Sequence, residues 1–280
     1  MPQITLENRA SITVAGPEAE DFLQAIITTD LPSVDSGEAW PGALLTPQGK
    51  IMFEFLISRA DDGFVIETDA ASGDAFAKRL VLYRLRAKVT IVRLEATAVT
   101  VCWDTPAPTD AARDMRFAKA GVDLFRISGS AGGIDVANYT ALRIAHGISG
   151  GAEDGDATDF FPHDLLLDRN GGLNFKKGCY VGQEVVSRMQ HRSTARRRIV
   201  TVAAESALPA SGTTILAGGK DIGTLRTVEG NAGLAVVRID KAGDAMASGV
   251  AITSDDVVVS LALPAWSGVE FPVASDEAAS

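Results

Sequence analysis

Apolar residues recur at every second position through much of the first hundred residues. Ile4 and Leu6, then Ile12 and Val14, flank a break at Asn8-Arg9 and predict two short strands within residues 3–14. Gly16-Pro17 opens a helix, with proline at a permitted first-turn position. Glu18, Glu20 and Asp21 suit the positive end of its dipole. Phe22, Leu23, Ile26 and Ile27 form its buried stripe. Residues 40–68 predict a three-stranded meander, turned at Pro47-Gln48-Gly49 and at Asp61-Asp62-Gly63. A helix is expected over 71–86, with Phe76, Leu80, Leu82, Tyr83 and Leu85 inward and Lys78, Arg79, Arg84 and Arg86 outward. Strands follow at 88–94, 98–103 and 122–128, with a Pro-, Asp-, Thr- and Ala-rich loop at 105–114. A helix over 134–146 turns Val136, Tyr139, Leu142 and Ile144 inward, and the Gly-, Asp- and Ala-rich run 148–160 is expected to be a mobile loop.

From Arg198 the pattern changes. Short strands at 199–203, 214–217, 220–227, 234–238 and 250–263 are separated by Gly218-Gly219, Gly230-Asn231 and Ala242-Gly243-Asp244. No helix is expected among them, and the segment reads as a small all-β barrel or sandwich. The expected organisation is a body over 1–195, with a possible internal break near 104–121, a barrel over 196–272 and a disordered tail at 273–280.

Composition narrows the function classes. The 280 residues suffice for one large or two ordinary domains, and 46% apolar with 22% charged content fits a soluble globular protein. A net charge of −10 disfavours general nucleic-acid binding. No run of about 18 apolar residues predicts a membrane span, and the N-terminus shows no secretion signal. The two cysteines, Cys102 and Cys179, lie too far apart for a zinc motif and do not form a disulfide framework. They suit a reducing cytosol, and a cytoplasmic location is expected. Cys102, in Val99-Thr100-Val101-Cys102-Trp103, reads as a buried structural thiol.

The candidate chemistry centres on Cys179. It lies between Gly178 and Gly182, after Lys176-Lys177 and ahead of a short helix. A cysteine on a loop entering a helix feels the dipole's positive end, and neighbouring ammonium groups add to it; both favour the nucleophilic, metal-ligating thiolate. The glycines allow close backbone approach or positive φ. The alternative reading is a small buried apolar group. Glu54 is an acid on a strand face shared with Met52 and Leu56: an edge-exposed glutamate, or a carboxylate aimed into a pocket. His163 beside Asp164 reads as a structural pair or a ligand contact. The cluster Arg188, Arg192, Arg196, Arg197 and Arg198 is a domain boundary paired to acids, or an anion-recruiting rim.

Lys177-Gly178-Cys179-Tyr180-x-Gly182-Gln183-Glu184, with Arg188 one turn on, resembles the signature of the YgfZ family, relatives of the glycine-cleavage T-protein (an aminomethyltransferase). The strand, Gly-Pro and helix over 12–30, Phe161-Pro162, and 219–227 resemble the same group. The resemblance implies an α+β fold: a T-protein-like mixed strand and helix body around a central pocket, followed by an antiparallel β-barrel. It implies a folate-binding accessory protein for assembly or repair of iron–sulfur enzymes, connected with tRNA modification, using tetrahydrofolate or a derivative. Its implied partners are iron–sulfur proteins or cluster-assembly factors. Cys179 would be the reactive group, supported by Lys177, Gly178, Tyr180, Gly182, Gln183, Glu184 and Arg188. Cys179 would overlook the pocket, and Glu54, Arg143 and Lys177 would contact the folate. One cysteine cannot hold a stable cluster, so Cys179 would serve at most as a transient iron ligand. The alternative is a tetrahydrofolate-dependent aminomethyltransferase. The positions matching that family's acids hold Phe53 and Ala145, which counts against it.

Overall fold

The computed structural model describes residues 2–95, 98–130, 132–133, 136–192 and 195–272. The expected tail at 273–280 lies outside them. The chain divides into two compact units. The first comprises Met1–Val136, Ala157–Pro162 and Leu167–Ser187; the second comprises Ala137–Asp156, His163–Leu166 and Arg188–Ser280.

The first unit is built on a nine-stranded sheet. Its strands are β1 (Gln3–Leu6), β2 (Arg9–Ala15), β3 (Glu38–Leu45), β4 (Ile51–Ala60), β5 (Gly63–Asp69), β6 (Thr90–Arg93), β7 (Val99–Trp103), β8 (Ala112–Asp114) and β9 (Leu124–Ser128). The hydrogen-bonded order is β1-β7-β9-β8-β3-β4-β5-β2-β6, antiparallel except for the β3–β8 pair. Helices α1 (Ala19–Gln24) and α2 (Ala70–Arg84) bury Phe22, Leu23, Phe76 and Leu80 in a core with Ile12, Val14, Phe55, Ile57, Phe64 and Ile66. Strand alternation supplies this arrangement, since odd positions of β4 and even positions of β2 and β5 point to the same face. Gly63 makes the tight turn between β4 and β5: its φ is +147°, and a Cβ would lie 2.2 Å from the Val14 carbonyl oxygen.

Two expectations fail in α2. Leu82 and Leu85 are not inward; they are 62% and 87% exposed. Gly73, Phe76 and Leu80 already form the buried stripe at three- and four-residue spacing, and Leu82 falls on the opposite side. Residues 105–114 are not loop throughout, since Ala112–Asp114 is a strand and leads into α3 (Met115–Lys119), whose N-terminus is capped by the Asp114 side chain.

In the second unit α4 (Val136–His146) carries Tyr139 and Ile144 inward, while Val136 is exposed. Six strands close an antiparallel barrel: β10 (Arg197–Ala204), β11 (Thr214–Ala217), β12 (Lys220–Glu229), β13 (Ala232–Arg238), β14 (Ile252–Ser254) and β15 (Val257–Ala262), in the order β10-β13-β12-β11-β14-β15. The expectation that no helix interrupts them is corrected. A helix at Ile239–Ala247 packs Ile239, Ala242 and Ala245 into the barrel core. Ala242-Gly243-Asp244 reads locally as a turn. Gly243 is instead a close-packing site, where a Cβ would lie 2.2 Å from the Pro272 carbonyl oxygen. The run 148–160 is not featureless, with 3-10 turns at Gly151–Asp154 and Ala157–Asp159.

Candidate functional site

The segment carrying Cys179 belongs to the first unit and is anchored at three points. Asn174 starts it: its Oδ1 accepts hydrogen bonds from the backbone N–H groups of Lys176 (2.6 Å) and Lys177 (2.9 Å). This side-chain turn holds the chain away from both helix and sheet. The Tyr180 hydroxyl donates back to the Asn174 carbonyl at 3.1 Å, and its ring is buried. Lys177 is the second anchor. It is buried, and its Nζ donates to the carbonyl oxygens of Ile27 (2.9 Å) and Thr29, over the Tyr180 ring at 5.6 Å. Burial pulls its pKa down to about 8, with Asp30 opposing.

Gly182 is the third anchor. Its φ is +79°, and a Cβ there would lie 2.5 Å from the Thr46 carbonyl oxygen and 3.0 Å from Leu45 Cβ. Only glycine fits this contact with the β3–β4 turn. Gly178 differs: it is exposed, its φ is not positive, and nothing lies within 4 Å of a Cβ. Helix α5 (Gln183–His191) then begins, with Val186 buried and Glu184 and Arg188 exposed. The Gln183 side chain approaches the Lys177 carbonyl at 3.5 Å.

The result is an exposed Cys179 between the buried side chains of Lys177 and Tyr180. Cys102 is buried, and burial raises its pKa, consistent with a structural thiol. Among the described residues, no group of three or more His, Cys, Asp or Glu side chains is placed to hold a metal ion.

The first unit also contains a cavity of about 630 Å³. Its walls include Ser11, Leu56, Ser58, Glu67, Val99 and Arg126. Behind them lies a buried ion network. Arg126 donates from Nε to Glu67 Oε2 (2.8 Å) and from Nη1 to Asp114 Oδ2 (3.2 Å). Arg9 Nε reaches Glu67 Oε1 at 2.8 Å, and Arg116 Nη2 reaches Asp114 Oδ2 at 2.7 Å. Burial alone would raise the Glu67 pKa, but Arg126 and Arg9 outweigh it and hold the carboxyl at about 2. Arg116 and Arg126 likewise bring buried Asp114 below its ordinary value. This network escaped the sequence reading. Its only local signal is a charge inside otherwise apolar strands: Glu67 in Phe64-Val65-Ile66-Glu67 and Arg126 in Leu124-Phe125-Arg126-Ile127.

The structure does not bring all expected site residues together. Cys179 does not line the cavity. Its segment seats Gly182 on the β3–β4 turn, whereas Ser36, Gly37, Ala39 and Ser58–Ala60, at the other end of that hairpin, line the cavity. From Ile51 to Ser58 the strand advances about 23 Å. Glu54 is half-buried on β4 and shares its strand face with Leu56 and Ser58 of the cavity wall. Arg143 does not present its charge to a ligand. It is fully buried in the second unit, donating to the Ile148 carbonyl at 3.2 Å and pairing with Asp154 at 3.5 Å. Lys177 also spends its charge internally. His163 is fully buried, 3.2 Å from Gln190 Oε1. The arginine cluster is partly consumed: Arg198 donates to the His163 carbonyl, and Arg196 and Arg197 approach Asp240 (3.8 Å) and Asp164 (3.9 Å). Phe53 stacks on Phe76 with ring centroids 4.6 Å apart, so the position matched to a transferase acid does core packing here.

Residues 196–269 match the family model of the CAF17 C-terminal beta-barrel domain. The chain is 30% identical over 275 residues to the iron–sulfur cluster assembly factor IBA57, mitochondrial, of Homo sapiens, covering 84% of this chain and 77% of that protein. It is 30% identical over 277 residues to the Mus musculus protein of the same name, covering 83% and 76%. Among solved structures, aminomethyltransferase T of the glycine cleavage system from Bartonella henselae superposes with a TM-score of 0.75 at 17% identity. That match covers 94% of this chain and 85% of the other, and establishes a shared fold. The names of the relatives correct one expectation: they are mitochondrial proteins, which overturns the assignment to the cytoplasm. With its aminomethyltransferase-type α+β body, closed C-terminal barrel and similarity along most of its length, the chain belongs to the IBA57 family of iron–sulfur cluster assembly factors.

Proposed function

We propose that this protein assists iron–sulfur cluster assembly or repair by presenting Cys179 to a partner protein. The observation that carries this reading is the exposed thiol on a segment locked by Lys177, Tyr180 and Gly182. Three anchors around one exposed residue hold that sulfur in a defined place, which a purely structural turn does not need. In this reading the segment 177–184 does the work its resemblance to the YgfZ signature implies. The cluster is cargo. Cys179 gives up its proton and donates a sulfur lone pair to iron, while the partner supplies the remaining ligands, about three for a cluster of ordinary type.

A tetrahydrofolate is the proposed small-molecule partner, seated in the 630 Å³ cavity, with Glu54 two positions along β4 from the wall residue Leu56. The cavity wall offers the hydroxyls of Ser11 and Ser58 beside apolar Leu56 and Val99, a mixture suited to a pterin's polar edge and flat face. Arg143 and Lys177 are withdrawn as folate contacts, because their guanidinium and ammonium groups are used inside the protein. Cys179 does not line this cavity, so in this reading folate takes no direct part in chemistry at the thiol.

The decisive experiment replaces the chromosomal gene by Cys179→Ala in the source organism. The expected result is a normally folded protein and loss of iron–sulfur enzyme activity in extracts; undiminished activity would remove Cys179 from the mechanism. Titration calorimetry with tetrahydrofolate tests the second component. Saturable binding weakened by Glu54→Gln is expected, and no heat of binding would remove folate from the account.

A further inference from the structure

Helix α2 carries apolar residues on both sides. One side is buried through Gly73, Phe76 and Leu80. On its last turn, Val81 and Leu82 face solvent at 46% and 62% exposure, and Leu85 immediately after the helix is 87% exposed. A surface helix ordinarily keeps its outward face polar. Leu85 also sits at φ 48°, a conformation that bulky side chains avoid, so the leucine is held outward against its backbone preference. Around these three side chains stand exposed Lys78, Arg84, Arg86 and Lys88. Two acids of the neighbourhood are engaged: Asp74 pairs with Arg93, and Glu18 accepts the backbone N–H of Lys88. A local excess of positive charge in a chain of net charge −10 is a selective feature.

We infer that the end of α2 is a docking surface for a folded partner protein, whose complementary face is an aliphatic groove rimmed by carboxylates. Exposed aliphatic residues at helical spacing match insertion into a groove. The cationic fringe selects an acidic rim, which sets register and speeds encounter more than it adds affinity. The fixed, strained setting of Leu85 favours a shaped protein pocket over a fluid bilayer, which accepts an apolar side chain at any angle. The overall negative charge also opposes approach to an extended anionic membrane. This surface is separate from Cys179 and its anchors. The in-cell activity readout below rests on the accessory-factor reading; the cross-linking does not.

The test places the photo-cross-linker benzoylphenylalanine at position 82 of the full chain, expressed from its own locus. The expected product is one dominant protein adduct. Its cross-linked peptide should carry Asp or Glu beside aliphatic residues, and the adduct should fall about tenfold on Arg84→Glu/Arg86→Glu, as loss of steering and rim pairing implies. Leu82→Asp/Leu85→Asp should reduce iron–sulfur enzyme activity in cells while leaving the melting temperature and the Cys179 alkylation rate unchanged. Three results would overturn the proposal: no protein adduct, flotation of the wild type with phosphatidylcholine–cardiolipin vesicles that these leucines control, or a dimer in sedimentation that the leucine variant abolishes. If Cys179→Ala keeps full activity while the adduct persists, the cysteine reading falls and the docking surface stands.

Discussion

Arg126 on β9 grips both carboxylate oxygens of Glu67 on β5, although β8, β3 and β4 lie between these strands in the hydrogen-bonded order. The sheet is therefore curled, and this pair ties its two limbs together across the cavity. Both groups are nearly dehydrated, so each depends on the other. Replacing Arg126 by Met leaves Glu67 and Asp114 under-compensated, and the expected loss is about 3–5 kcal/mol of unfolding free energy. Urea denaturation of the variant measures it. A loss below about 1 kcal/mol, the worth of an exposed pair, would show that the network is hydrated in solution.

Acid should act through the same pair. The Glu67 pKa is about 2 in the folded protein against an ordinary 4.5. A carboxyl depressed by folding contributes stability above its unfolded pKa and loses it as pH falls through the folded one. The contribution is thus present at neutral pH and disappears between about 4.5 and 2, with Asp114 acting in the same direction. A shift of this size corresponds to roughly 3 kcal/mol. Unfolding free energies measured from pH 7 to 3 should fall more steeply for the wild type than for Glu67→Gln. Parallel curves would contradict the assignment.

The two glycines flanking Cys179 should respond differently to alanine. Gly182→Ala forces a Cβ against the Thr46 carbonyl at positive φ and is expected to cost about 2 kcal/mol or more. It should also increase protease cleavage within 174–182. Gly178→Ala meets open space and should be neutral within about 0.5 kcal/mol. Equal effects at both positions would mean that the segment is not seated on the β3–β4 turn.

The two thiols should separate cleanly by reactivity. Cys179 is exposed and should react with iodoacetamide in the native protein, whereas Cys102 should react only on unfolding. Mass spectrometry after timed alkylation reports both on one sample. Saturating tetrahydrofolate should leave the Cys179 rate unchanged, because Cys179 is not among the residues that line the cavity. Strong protection by folate would place the ligand elsewhere.

Local pattern was sufficient for most of the elements. Strand alternation around Ile12, Ile57 and Ile66, the turns at Gly49 and Gly63, and the barrel strands after Arg197 follow from two-residue periodicity and turn chemistry, which act between near neighbours. The segment around Cys179 stands out in the sequence by its residues and its resemblance to a family signature, but the contacts that fix it, from Lys177 to Ile27 and Thr29 and from Gly182 to Thr46, are long-range. Features set by distant contacts were not legible. Gly243 has the local signature of a turn, but Pro272 packs against it; Leu82 has that of a core residue, but Phe76 and Leu80 occupy the buried side of α2. Arg143 resembled a ligand contact until Asp154 met it in the interior. The Arg126–Glu67 pair joins residues 59 positions apart, and no periodicity reports a contact made by the curling of a sheet. Sequence therefore specified the strands of both units, because those depend on backbone preference and alternation. Tertiary packing alone decided which charges were consumed inside, and that the Cys179 thiol is exposed and does not line the cavity, because burial and charge pairing exist only once the chain has closed on itself.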